Sequence, residues 1–228
     1  MVAAAAAICR KMTHPHRLRE LRFIGIVAIA LALLTLAPRP ALAAGEVVGK
    51  VIGLQGAAVA LQDAMPRTLA VGSDILQGDV VSTGIGGRVK LRMIDDTEFS
   101  LGERSLFIVE EFLMSTQQSS ALTNLVTGAV AVVTGQIAKL QGNPFQLRTP
   151  VATLGVRGTT FWGGQLDGNF QFALLDGPAL IVENAAGTVE ITTVGQGTLV
   201  SGPNAAPDTP TEWGQAKIAR AAAITAVP

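Results

Sequence analysis

The residue types that carry out most enzymatic chemistry are confined to one end of this 228-residue chain. Its only cysteine is Cys9, and its only histidines are His14 and His16. Everything after Ala43 must act without an imidazole or a thiol. That excludes Ser-His-Asp and Cys-His nucleophilic arrangements, disulfides and the usual zinc sites from the remainder. Carboxylates are left. Asp95, Asp96 and Glu98 are close enough to chelate calcium, but no EF-hand loop or glycine-rich calcium repeat surrounds them, so they read as an exposed turn. Glu110 and Glu111 read as a solvated strand end. Gly45-x-x-x-Gly49-Lys50 is one residue short of a phosphate loop and lacks the following Ser or Thr. No pair of carboxylates is identifiable as a glycosidase couple. The expectation is a chain that is not an enzyme and needs no cofactor or metal.

One basic residue stands apart. Arg157 is the only charge between Thr149 and Asp167, and Gly155 and Gly158 lie close on either side. A buried guanidinium without a partner is costly. Arg157 is therefore expected to be a buried or half-buried anchor bonded to a carboxylate, with Asp79 the first candidate and Asp95 the second. The glycines would supply backbone shapes that a side chain forbids. Phe161, Trp162, Phe170 and Phe172 offer either core packing or an aromatic platform for a sugar. Trp162, beside Gly163-Gly164, is the best placed of them for exposure.

The elements that hold these residues are strands. From Gly45 the apolar period is two, and glycines recur at short intervals. In Arg88-Val-Lys-Leu-Arg-Met-Ile94, Val89, Leu91 and Met93 face one way and Lys90 and Arg92 the other. Asp95-Asp96 is the turn, and Phe99 and Leu101 resume the inward face. Further strands are expected at 79–83, 122–126, 129–134, 137–140, 145–149, 170–175, 179–183, 188–194 and 197–200. Asp176-Gly177-Pro178 reads as a hairpin turn. Met114 to Ala121 is polar and aperiodic, and reads as a loop. Residues 202–209 form a linker. Thr209-Pro-Thr-Glu212 then has capping-box form, which predicts a helix over 210–228 containing Trp213. That helix is either docked on the strands or a partner-binding surface. The fold expected is all-β, with many short strands in a solenoid-like or rolled arrangement and a C-terminal helix; the alternative is a β-sandwich.

The formal net charge of zero hides a split. Up to Ala43 there are six basic residues against one acidic; afterwards there are eleven against sixteen. The basic stretch Arg10 to Arg22, the apolar run Phe23 to Ala37 and then Ala41-Leu42-Ala43 follow the order of a cleavable secretory signal peptide. Residues 1–43 are thus expected to direct Sec export to the periplasm or beyond. The alternative is an uncleaved N-terminal anchor, the membrane being reached only this way. An acidic remainder is not expected to bind nucleic acid.

The order of motifs over 47–199 resembles the FecR domain family. Gly72-Ser-Asp-Ile-Leu-Gln-Gly-Asp-Val-Val-Ser-Thr83 is similar to its G-x-x-l-x-x-G-D-x-i-x-T segment, and Leu125-Val-Thr-Gly128 to its l-x-x-G. Phe145-Gln-Leu-Arg-Thr-Pro150 and Gly155-Val-Arg-Gly-Thr159 are similar to its f-x-v-x-T-P and v-R-G-T signature. The usual turn glycine is missing at Asp95-Asp96-Thr97. The resemblance implies an all-β periplasmic domain spanning 44–201. Its best-known members are anti-sigma regulators, which place a sigma-binding domain and a membrane span ahead of that domain and take their signal from an outer-membrane transporter. Only 22 residues precede the apolar run here, so the expectation is a stand-alone exported domain. Three functions follow: a periplasmic interaction or signalling module for an envelope protein, an envelope structural or surface protein, or a carbohydrate-binding module. Trp162 and Trp213 are the candidate partner or glycan surface.

Overall fold

Alternating apolar side chains on short strands can bury only one face, so the strands must find a second layer. In a computed structural model, which describes residues 45–115, 117–142 and 144–227, they do so as two open nine-stranded sheets. The strands are β1 (Val47–Gln55), β2 (Ala58–Gln62), β3 (Met65–Thr68), β4 (Asp74–Leu76), β5 (Val80–Thr83) and β6 (Arg88–Met93). Then come β7 (Glu98–Leu101), β8 (Leu106–Met114), β9 (Ser119–Thr127), β10 (Ala129–Val133), β11 (Phe145–Arg148) and β12 (Thr153–Val156). The last are β13 (Thr160–Leu166), β14 (Asn169–Asp176), β15 (Leu180–Asn184), β16 (Gly187–Ile191), β17 (Gln196–Val200) and β18 (Thr211–Glu212). A 3-10 turn (Ile137–Lys139) and one helix, α1 (Gln215–Thr225), complete the described residues.

Sheet A runs β18-β17-β14-β13-β10-β7-β6-β1-β4 and sheet B runs β16-β15-β12-β11-β9-β8-β5-β2-β3. The chain lays one or two strands on one sheet, crosses, and lays the next on the other. It advances through both in the same direction. Nearly every pair is antiparallel; β9 with β11 is parallel, because β10 crosses to sheet A between them. The inward residues of both sheets share one core. Phe99 of sheet A lies with its ring centroid 4.9 Å from Phe107 and 6.2 Å from Phe145, both of sheet B. The alternation read for β6 and β7 holds: Val89, Leu91, Met93, Phe99 and Leu101 are buried, and Lys90 and Arg92 point outward to Glu98.

Several local expectations are overturned. Asp176-Gly177-Pro178 is not a hairpin turn, since β14 belongs to sheet A and β15 to sheet B. A tight turn fixes the chain's reversal but not which sheet receives it. Where a strand is expected over 137–140, Ile137–Lys139 form the 3-10 turn. The expected loop over Met114–Ala121 is shorter than read, since β8 runs to Met114 and β9 begins at Ser119. The helix starts at Gln215, after Gly214, because Thr211 and Glu212 pair with Gly197 and Gln196 of β17. The linker over 202–209 is tied down: Asn184 Nδ2 donates to Ala205 O (2.7 Å), and Thr198 Oγ1 to Asp208 O (2.6 Å).

The helix docks on the outer face of sheet A over a second apolar cluster of Ala129, Trp162, Leu166, Ala173, Trp213 and Ala221. Small floor residues let it approach closely. A Cβ on Gly102 would fall 2.8 Å from the Ile224 side chain. Arg88 Nε donates to the Ile224 carbonyl (2.9 Å), satisfying an acceptor at the helix end. Arg220 pairs with Asp167. None of the helices among the described residues is long and apolar enough to cross a membrane. Residues 1–43, expected to be a signal peptide, lie outside the described residues together with Cys9, His14 and His16.

Candidate functional site

The site is built around the corner Arg157-Gly158-Thr159, which joins β12 of sheet B to β13 of sheet A. Gly158 takes a positive φ of 63°, the corner expected of it. Thr159, only 2 % exposed, is the hub. Its N–H donates to Thr134 Oγ1 (2.7 Å), and its carbonyl accepts from the Thr134 hydroxyl (2.9 Å). Its own hydroxyl donates to Ala179 O (2.8 Å). Gly177, at φ 106°, lies so close that a Cβ there would sit 2.8 Å from Gly158 O. One corner thus holds the end of β10 and the crossover from β14 to β15 in fixed relation.

The same corner turns Arg157 outward, so the expected anchor role is overturned. Arg157 is exposed, and no carboxylate of the described residues lies within ion-pairing distance. Asp79 is fully buried but is bound by Arg67, whose Nη2 donates to Oδ2 at 2.5 Å, and by the Leu76 N–H at 2.8 Å. Its other oxygen is buried with no partner among the described residues. Asp95, expected in an exposed turn, is fully buried too. Its Oδ1 accepts from Thr97 N–H (2.8 Å), and its Oδ2 from Thr97 Oγ1 (2.9 Å) and Ile137 N–H (3.1 Å). A Cβ on Gly135 would collide with the Asp95 carbonyl. Asp95 therefore staples the 3-10 turn, and with it Lys139 and Leu140, to the β6–β7 turn.

These two staples frame a groove of about 360 Å³ on the outer face of sheet B. Gly155, Ile181 and Glu190 stand side by side on β12, β15 and β16 and form its floor. Gly155 deepens it by having no side chain. Leu140 forms one wall, Ala179 another, and Arg157 stands at the rim. An apolar trough with a cation at its rim and a carboxylate in its floor can hold a chain or side chain. Among the described residues, no group of three or more His, Cys, Asp or Glu is placed to hold a metal.

The aromatic surface is also overturned. Trp162 is 0 % exposed and Trp213 4 %, their rings 5.9 Å apart beneath α1. Lys217 lies 4.1 Å above the Trp213 ring, and burial pushes its pKa down. A glycan has no access to either indole, and the carbohydrate reading that relied on Trp162 falls with them. The residues sequence reasoning missed are Thr159, Thr134 and Arg67. Thr159 had a usable signal, a hydroxyl just past the corner glycine.

With this geometry in view, comparisons with known proteins place the fold. Residues 79–180 match the model of the family described as FecR protein. No curated protein matches the chain. Two crystal structures of a "putative anti-sigma factor" from Parabacteroides distasonis ATCC 8503, at 1.65 and 2.50 Å resolution, match with a TM-score of 0.50 at 15 % identity. Each match covers 61 % of this chain, and the chain spans 62 % of theirs. At that identity the likeness is one of fold.

Proposed function

We propose that this chain, which carries a FecR domain, is an exported, non-catalytic interaction module of the cell envelope that acts in signalling. The observation that carries the reading is the family match over 79–180, the segment that holds the Arg157 corner and most of the groove's lining. The description of the Parabacteroides protein as an anti-sigma factor supports a regulatory role. The basic, apolar and Ala-x-Ala order of residues 10–43 supports export. Alkaline phosphatase fused downstream of Ala44 should be active, and should lose activity when Phe23 to Ala37 is deleted. Affinity capture from an envelope extract with the full chain should retain a specific protein. Capture of none would refute the module.

A second reading is self-association. Among the described residues β16 has no strand on its outer side, whereas β4 and β18 are very short and β3 carries Pro66 and Arg67. Light scattering decides it: a concentration-dependent dimer that Thr188→Pro, at an exposed position of β16, abolishes supports the edge, and a monomer at all concentrations removes it.

A further inference from the structure

The unpaired cations of this acidic domain are not scattered evenly. Of the eleven basic residues after Ala43, Lys50, Arg67, Lys90, Arg92, Arg148 and Arg220 are in ion pairs. Arg88 is spent on the Ile224 carbonyl, and Lys217 on the Trp213 ring. Arg104, Lys139 and Arg157 have no carboxylate of the described residues within ion-pairing distance. Two of these three converge: the Lys139 side chain passes 3.7 Å from where a Gly158 Cβ would sit, next to Arg157. Arg157 lines the groove over Gly155 and Ile181, and Lys139 immediately precedes its wall residue Leu140.

The apolar surface continues past the groove. Leu140, 46 % exposed, is shared with a second hollow of about 410 Å³ lined by Met114, Ser119 and Ile137. Two hollows on either side of one leucine, with cations beside the divider, suit neighbouring side chains of an extended chain better than one compact ligand.

Resting on the module reading above, we propose that this surface binds an extended segment of a partner protein in which a side-chain carboxylate neighbours a large apolar residue. The apolar side chain fills the space over Gly155 and Ile181, and the carboxylate pairs with Arg157 and Lys139. Charge complementarity selects the acidic segment and its orientation: the domain carries a net negative charge and Glu190 lies in the floor two strands from Gly155, so a carboxylate is repelled except at the end of the groove where these two cations stand.

The test is fluorescence anisotropy on the full chain with short peptides blocked at both ends. One alternates Asp and Leu, one Lys and Leu, and one Ser and Leu. The acidic peptide should bind best and weaken as salt rises. Arg157→Glu should weaken it at least tenfold, with Lys139→Glu acting in the same direction. Gly155→Val should weaken it with every charge intact, while urea midpoints show that the variants remain folded. Equal binding of the basic peptide, indifference to Arg157→Glu and Gly155→Val, or binding only of an unblocked peptide through its terminal carboxylate would each overturn the proposal. An envelope protein that is captured equally well by Arg157→Glu and Gly155→Val would leave the module reading standing and remove the groove from it.

Discussion

Replacing Asp95 by Ala should loosen one wall of the groove before it unfolds the domain. The carboxylate accepts three hydrogen bonds in a fully buried position, from the Thr97 N–H, the Thr97 hydroxyl and the Ile137 N–H. The hydroxyl can rotate to another acceptor, but the two backbone donors cannot. An orphaned buried donor costs about 1–3 kcal/mol, so two come to about 3 kcal/mol once water entering the vacated space is allowed for. Against an ordinary domain stability of about 5–15 kcal/mol, the variant stays folded. Asp95→Asn should cost less, about 1–2 kcal/mol, because its oxygen still serves one N–H while its amide faces another donor. Urea unfolding followed by the buried Trp162 and Trp213 gives the global figure. Hydrogen exchange gives the local one: the Ile137 amide should lose protection beyond what the global change explains, while the core strand β6 should not. A loss below about 0.5 kcal/mol for Asp95→Ala, or exchange at Ile137 that only follows global unfolding, would refute the staple.

Arg67→Ala leaves the Asp79 carboxylate buried without its cation and should cost about 2–4 kcal/mol by urea unfolding, the lower part of the range for broken buried pairs because Arg67 is itself about one-third exposed. Thr159→Val keeps the shape of the corner but leaves the Ala179 carbonyl without its donor, and should cost about 1–2 kcal/mol with the largest exchange changes near Ala179. Glu98 gives the pH dependence. Partial burial works to raise its pKa, but the hydrogen bonds and charges of Lys90 and Arg92 together outweigh it, so the carboxyl sits below its ordinary value of 4.5. The folded state therefore favours the charged form, and the stabilisation is full above that value and lost as pH falls through the folded one. Glu98→Gln should cost about 1 kcal/mol at pH 7, with the difference from the parent chain vanishing in acid.

Much of the body was legible in the sequence because its signal is local. Val89, Leu91 and Met93 against Lys90 and Arg92 state which side of β6 is wet, and the glycine-punctuated strands state the class. What was not legible depends on partners chosen in three dimensions. The stretch Met65-Pro-Arg-Thr68 has weak strand character, yet it brings Arg67 to Asp79 and frees Arg157 for the surface. Trp162 looks exposable beside two glycines until α1 is laid over it. The capping box at Thr209–Glu212 is genuine local chemistry, overridden because Thr211 and Glu212 gain strand pairing with β17. Asp95 looks like any turn aspartate; only the return of Gly135–Ile137 to its side makes it a buried acceptor.

That Arg157 is displayed and does not brace the fold is the claim on which the groove depends. The stability of Arg157→Ala in urea tests it most directly. The midpoint should match the parent chain's, with a change within about 0.5 kcal/mol, as for a solvated surface side chain. A loss of 2 kcal/mol or more would mean that the guanidinium is bound within the domain, and would contradict the account.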